Sequence, residues 1–428
     1  MKAEAHKFRS KGAKALQDPT LQKALQVFAT GFPEHRKKAL DAFPEFEATR
    51  DKATRIKDES LQNLPALLDQ FQKSVAANGG EVIVCKTPEA ANAAIVDICR
   101  REGAKLITKS KSMVSEELAL NDALEAGGLE VIETDLGEYI LQLAKEPPSH
   151  IVGPALHKTR EQVAALFREH HTRETPGETG PELVAEARDV LREKYFAADV
   201  GITGANFLVA ETGTVAIVTN EGNADLCRAL PKTHIVVSSI EKVIPSLDDL
   251  SVFLRVLARS ASGQAITSYT TLVSGPRQPD DIEGPGKFVV VLVDNGRSQL
   301  LGTDQQDILR CIKCGACMNA CPVYGSVGGH AYGWVYPGPI GAAINPVLAG
   351  VKEMKPLYQA STFCGACEAV CPVKIPLVKM LRHWRTESFN EKITPVRERI
   401  GVRLWAFIAM RPALYRLAVK LMPKWIWP

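Results

Sequence analysis

The stretch EVIVCKTPEAANAAIVDICRREGAKLITKSKSMVSEELALNDALEAGGLEVIET, residues 81–134, changes periodicity four times. EVIVC is a short buried strand, AANAAIVDICRREG a helix, AKLITKS a strand, VSEELALNDALEAGG a helix and LEVIET a third strand. Strands that alternate with helices of this length pair in parallel, so the fold class is α/β. Upstream, residues 1–78 read as a helical N-terminal extension. LQKALQVFATGF (21–32) and LQNLPALLDQFQKSVAANGG (61–80) place apolar residues at helical spacing, and the second ends on glycines. Downstream, TRETPGETGP (172–181) is a loop and ELVAEARDVLREKYFAA (182–198) a helix. A second sheet-like block follows in ADVGITGANFLVAETGTVAIVTNEGNADL (198–226), HIVVSSIEKV (234–243) and KFVVVLVDNG (287–296). No break separates these blocks, so residues 79–300 form one α/β domain. Residues 301–385 form a cysteine-rich module, and 386–428 a basic helical tail.

With 52 basic against 49 acidic residues, net charge gives no reason to expect nucleic acid as a partner. The opening MKAEAHKFRSKGAKALQD has no apolar run of signal-peptide length, and no stretch reaches the roughly 18 apolar residues of a membrane span. A cytoplasmic location is expected, where thiols stay reduced and clustered cysteines read as metal ligands.

Seven of the ten cysteines lie between 311 and 371. CIKCGACMNACP (311–322) is C-x2-C-x2-C-x3-C-P, the bacterial ferredoxin spacing, in which the fourth cysteine ligates the other cluster. STFCGACEAVCP (361–372) repeats it with serine in first place. The crossed rule assigns Cys311, Cys314, Cys317 and Cys371 to cluster 1. It assigns Cys321, Cys364 and Cys367 to cluster 2, with Ser361 the candidate fourth ligand. Two [4Fe-4S] clusters are expected, the second with a labile corner that can pass to a three-iron form. A pair of zinc knuckles also uses C-x2-C pairs, but it needs neither the third cysteine nor the C-P ending. Cys85, Cys99 and Cys227 read as buried packing residues, and His170–His171 as the solvated end of a helix. The sequence has no G-x-G-x-x-G between strand and helix and no P-loop, which leaves a relay without an organic cofactor of its own.

ITKSKSMVSEEL (107–118), DLGEYILQLAKEPPSHIVGPALHKTR (135–160), GITGANFLVAETGTVAIVTNEGN (201–223), LPKTHIVVSSIEKVIPSLDDL (230–250) and GGHAYGWVYPGPIGAAINP (328–346) follow one another in a familiar order. Over nearly the whole chain the pattern resembles the lactate-utilisation iron–sulfur proteins (LutB/LldF type), the B components of a bacterial three-component L-lactate oxidation system. The resemblance implies a LUD domain, similar to ribose-5-phosphate isomerase and CoA transferases, followed by an α-helical double-cluster ferredoxin-like module. It also implies two partners, a cysteine-rich A subunit and a C subunit made of a LUD domain. The implied role is an electron-transfer subunit in the oxidation of L-lactate to pyruvate, not catalytic by itself. The alternatives are service to another 2-hydroxy acid such as glycolate, or a stand-alone LUD enzyme acting on an acyl or sugar-phosphate substrate with structural clusters. The family pattern carries a longer tail than the PKWIWP ending here.

Two segments are candidates for a small-anion pocket. Lys109, Ser110, Lys111 and Ser112 follow a strand and precede a helix, where free backbone N–H groups favour an anion. Glu211, Thr212, Gly213 and Thr214 form a tight polar turn between apolar strands, and Glu211 stands where CoA-transferase relatives can place a nucleophile. Turn chemistry and capping explain the same residues without a ligand, and fold resemblance does not transfer chemistry. The tail, GVRLWAFIAMRPALYRLAVKLMPKWIWP (401–428), holds Arg403, Arg411, Arg416, Lys420 and Lys424, three tryptophans and no acidic residue. It suits a cap on the cluster module, a contact with a partner subunit, or peripheral contact with the inner membrane face.

Overall fold

The computed structural model describes residues 3–172 and 177–421. Part of the 172–181 loop and the PKWIWP ending lie outside the described residues. Among the described residues there are ten strands: β1 (Glu81–Cys85), β2 (Leu106–Lys109), β3 (Glu130–Glu133), β4 (Val200–Thr203), β5 (Phe207–Val209), β6 (Thr214–Thr219), β7 (Thr233–Ser239), β8 (Val243–Ile244), β9 (Tyr269–Val273) and β10 (Lys287–Val293). Six of them form one all-parallel sheet in the order β1-β10-β7-β4-β2-β3. The other four make a smaller sheet, β8-β5-β6-β9.

The second sequence block is therefore divided between the two sheets. β4, β7 and β10 enter the first sheet as central strands, and their near-continuous apolar runs fit strands covered on both faces. Ile235, Val237, Val289, Val291 and Val293 face the helix Pro88–Arg101, which Thr87 caps by accepting from the Ala90 N–H at 3.2 Å. Val236, Val290 and Leu292 face the other way, toward the helix Leu64–Ala77 and the smaller sheet. Gly201 in β4 is required by packing. A Cβ there would sit 1.6 Å from the Cys227 carbonyl, so only glycine lets the helix Asn223–Ala229 lie against the sheet. The reading of 114–128 as one helix is corrected to two short ones, Met113–Leu118 and Leu120–Ala126, broken at Ala119 with φ of 52°.

The N-terminal helices are not peripheral. Phe46, Ala53, Ile56 and Leu61 share one apolar core with Phe253 of the helix Leu247–Ala261 and with Tyr324, Tyr336, Ile340 and Leu381 of the cysteine module. Arg50 donates to the Cys371 carbonyl at 2.6 Å, tying the helix Phe46–Gln62 to the second cysteine run. The tail forms two helices, Val396–Ala409 and Pro412–Leu421. No residue of the first is buried, and Ile400, Leu404, Trp405, Phe407 and Leu417 lie exposed across the two.

Candidate iron–sulfur centre and the adjoining cavity

The two cysteine runs fold alike. Lys313 and Phe363 both adopt left-handed φ, 58° and 57°, and Gly315 and Gly365 follow at 79° and 81°. Glycine suits the second position, and the first holds an ordinary side chain at a cost of order 1 kcal/mol. The turn aims successive thiols inward. In the first run the Cys311 Sγ accepts from the Lys313 N–H at 3.4 Å, and in the second the Ser361 Oγ accepts from the Phe363 N–H at 3.2 Å. Ser361 thus occupies the place of Cys311 in an otherwise matching loop.

The side chains gather in two cavities. One is lined by Cys311, Cys314, Cys317 and Cys371, walled by Ile340, Ile375 and Leu377. The other is lined by Cys321, Cys364, Cys367 and Ser361, walled by Pro339, Leu357 and Leu381. Each draws from both runs, which is the crossed arrangement. Burial, then the neighbouring Cys371 and Cys311 sulfurs, pushes the Cys314 thiol up, and Cys317 is raised in the same way. Burial and then Cys321 push Cys367 up to about 12. Thiols crowded into a dry cavity resist ionisation unless a cation joins them. Backbone N–H groups of Tyr324 and Ile375 point at the sulfurs of Cys321 and Cys371, at 3.5 and 3.4 Å. Donors of this kind suit the sulfur-rich, negatively charged environment of a cubane cluster. The donor set fits two [4Fe-4S] clusters. The second cavity reaches the surface, because Cys364 is exposed while Cys317 and Cys371 are buried.

The expected anion loop is divided. Ser110, Lys111 and Ser112 line a cavity of about 250 Å³, but Lys109 does not. Its ammonium is buried on the other side of the strand end, 2.7 Å from Glu133, 3.3 Å from Glu116 and 3.2 Å from the Ser115 hydroxyl. Glu211 and Thr212 are also absent from this cavity. Their turn packs on the helix Leu64–Ala77, where Ser74 donates to the Ala210 carbonyl at 2.9 Å and Asn78 to the Thr212 carbonyl at 2.9 Å. The Glu211 carboxylate accepts from the Leu247 N–H at 3.4 Å, and the Thr212 hydroxyl bonds that of Thr214 at 2.7 Å. Ser112 caps the following helix through the Ser115 N–H at 3.3 Å. That helix has only six residues, too short for its dipole to hold an anion.

Sequence reasoning did not find Asp135, Asn206, Glu221, Lys242 or Lys313, all of which line the cavity. The sequence carries one signal for four of them: Asp135, Asn206, Glu221 and Lys242 fall within the stretches 135–160, 201–223 and 230–250 that carry the family resemblance. His171 is a further correction. Its ring is buried, bonding Glu186 and Tyr139 at 2.8 Å each, and is not a solvated terminus. Cys85, Cys99 and Cys227 are buried packing residues as expected.

The LUD domain family matches residues 68–293, and the 4Fe-4S dicluster domain family residues 307–375. The lactate utilization protein B of Lysinibacillus sphaericus is 45% identical over 98% of this chain and 89% of its own length. That of Bacillus licheniformis is 44% identical over 99% and 89%. The chain belongs to the lactate utilization protein B family. Another member-like relative, the uncharacterized electron transport protein YkgF of Escherichia coli, is 44% identical over 96% of this chain and 86% of its own. Membership joins the LUD α/β domain and the iron–sulfur module in one family architecture. Among the described residues, no helix is long and apolar enough to cross a membrane.

Proposed function

We propose that the chain is the iron–sulfur electron-transfer subunit of a multi-subunit system that oxidises L-lactate to pyruvate. The observation that carries this reading is the pair of cavities, each lined by thiols from both cysteine runs. Cys311, Cys314, Cys317 and Cys371 would hold cluster 1, and Cys321, Cys364, Cys367 and the Ser361 oxygen cluster 2. When bound, the clusters supply one-electron carriage. The chain's own part is to keep water from the first set with Ile340, Ile375 and Leu377, and to leave the second open at Cys364. An open edge is what exchange with a partner protein requires. Those partners are a cysteine-rich A subunit and a LUD-only C subunit, and the names of the relatives support the lactate assignment.

The exposed tail hairpin is the contact surface we assign to a partner subunit. Its two helices pack mainly on each other, leaving Ile400, Trp405 and Phe407 uncovered beside Arg403 and Arg411. The location that follows is the cytoplasm, with the basic hairpin able to meet the inner membrane face.

The test is anaerobic. L-Lactate should bleach the cluster absorption of this chain only when the A and C proteins are present. Lactate oxidation by the isolated chain at about 1 per second or faster, a rate typical of enzymes, would overturn the subunit assignment.

A further inference from the structure

The 250 Å³ cavity lies where an open parallel sheet is expected to bind a ligand. The connection leaving β2 runs to β3 at one edge, and the connections leaving β4 run toward β7 and β10 on the other side. β2 and β4 are neighbours, so the strand order reverses between them. Ligands bind beyond the carboxyl ends of strands at such a switch point. Ser110–Met113 follow β2 directly and Gly204–Asn206 follow β4 directly, and both segments line the cavity.

Here the cysteine module closes the mouth. Ile151, Lys313 and Cys314 line this cavity and also the one that holds Cys311, Cys317 and Cys371. The two spaces share a wall one residue thick at Cys314.

The lining has a definite chemistry. Three lysines line it, Lys111, Lys242 and Lys313. Lys111 lies 3.4 Å from Asp135, and Lys242 donates to the Ala205 carbonyl. The Lys313 ammonium is buried, sits 4.0 Å from the centre of the Tyr336 ring, and has no hydrogen-bond partner among the described residues. The Tyr336 ring and the buried Glu241 carboxylate, which Lys313 helps hold low, offset its charge only in part; a buried cation without a hydrogen-bond acceptor is costly, and an anion in the cavity relieves that cost. Asp135 and Glu221 line the same space and can accept only from a hydroxyl or another donor.

We infer that this cavity binds a small 2-hydroxy carboxylate against the cluster 1 loop, its carboxylate toward the lysines and its hydroxyl toward Asp135 and Glu221. The site stands on the geometry of the LUD domain; the choice of L-lactate as first probe rests on the electron-transfer reading. The consequence is that ligand binding and the surroundings of cluster 1 are coupled through Lys313 and Cys314.

Anaerobic calorimetric titration of the full holoprotein with L-lactate and with acetate, paired with EPR of the dithionite-reduced clusters, tests this. L-Lactate should bind, and more tightly than acetate. Saturation should alter the signal of one cluster and leave the other unchanged. Lys111→Ala should weaken L-lactate about tenfold or more with cluster absorption retained, since a charged hydrogen bond is lost. Glu221→Gln should reduce the preference for L-lactate over acetate while acetate affinity holds. No binding of L-lactate at millimolar concentration would overturn the inference, as would binding that Lys111→Ala leaves unchanged, or binding silent in both cluster signals. Binding with these responses, alongside an assembled complex that fails to oxidise lactate, would retain the site and remove the electron-transfer reading.

Discussion

Replacing Arg297 by methionine should destabilise the protein by about 3–5 kcal/mol, because it leaves buried carboxylates without their counter-charge. The Arg297 side chain is fully buried. Its guanidinium meets Glu117 through two hydrogen bonds, at 2.6 and 2.9 Å, and approaches Glu241 at 3.1 Å in an off-axis ion contact. The other donors to Glu117 are neutral, the Asn295 amide and the Tyr336 hydroxyl, each at 2.7 Å. Burial pushes the Glu117 carboxyl up, and Arg297 more than reverses this, holding it below its ordinary value. The network also joins domains. Glu117 belongs to the helix after the Ser110–Ser112 segment, Arg297 follows the sheet, and Tyr336 stands two residues before the helix Gly338–Ala349. That helix contributes Ile340 to the cluster 1 cavity and Pro339 and Ala342 to the other. Arg297→Met should therefore also speed iron loss. Urea unfolding followed by tryptophan fluorescence reads the stability, with Lys73→Ala as control. Lys73 pairs with Asp69 on an exposed helix face, and its loss should cost under about 0.5 kcal/mol. Arg297→Met combined with Glu117→Gln should recover part of the loss, since contacting pairs couple by about 0.5–3 kcal/mol. A loss below about 1 kcal/mol for Arg297→Met, or strict additivity in the double variant, would refute the reasoning.

Other outcomes follow from single residues. Mild oxidation should remove one iron and give a three-iron EPR signal from the wild type, because the Ser361 oxygen is a poorer ligand than thiolate; Ser361→Cys should suppress that signal. If Ser361→Ala matches the wild type in cluster content and signal, the oxygen is not a ligand. Lys109→Met should lower the unfolding free energy by about 3 kcal/mol, since the ammonium balances buried Glu133, while L-lactate binding stays within twofold by calorimetry. Burial pushes His150 down to about 4 from an ordinary 6.5. Its Nδ1 accepts from the Val152 and Gly153 N–H groups at 3.0 and 3.2 Å, and its Nε2 faces Asn319 at 3.0 Å. Below pH 6.5 the unfolded chain takes up a proton that the folded ring refuses, so this residue's contribution to stability falls between pH 6.5 and 4. His150→Asn should flatten that part of the urea midpoint against pH.

The local elements and the cysteine chemistry were legible in the sequence, because both are set by spacing within a few residues. EVIVC, AKLITKS and LEVIET are strands as read, and each cysteine run closes its own turn. What was not legible is set by pairing across long distances. β4, β7 and β10 joined the first sheet because parallel neighbours are chosen by crossover packing, which the period of a strand does not record. Lys109 left the anion loop for Glu133, its neighbour only through the pairing of β2 with β3. Glu211 is drawn to the helix Leu64–Ala77 by packing at Gly213, where a Cβ would lie 2.6 Å from the Val75 nitrogen. Lys313 reads in the sequence as a spacer between cysteines, and only the fold makes it part of the wall of the LUD cavity.

The interlaced thiol sets are tested most directly by EPR of mildly oxidised Cys371→Ala and Cys321→Ala proteins, with iron counted beside it. The wild type should hold about eight irons, four per cubane. Cys371→Ala, although it alters the second run, should lose cluster 1 and keep the cluster that yields the three-iron signal. Cys321→Ala, although it alters the first run, should keep the four-cysteine cluster and lose that signal. The opposite pattern, or stoichiometric zinc without labile sulfide, would contradict the account.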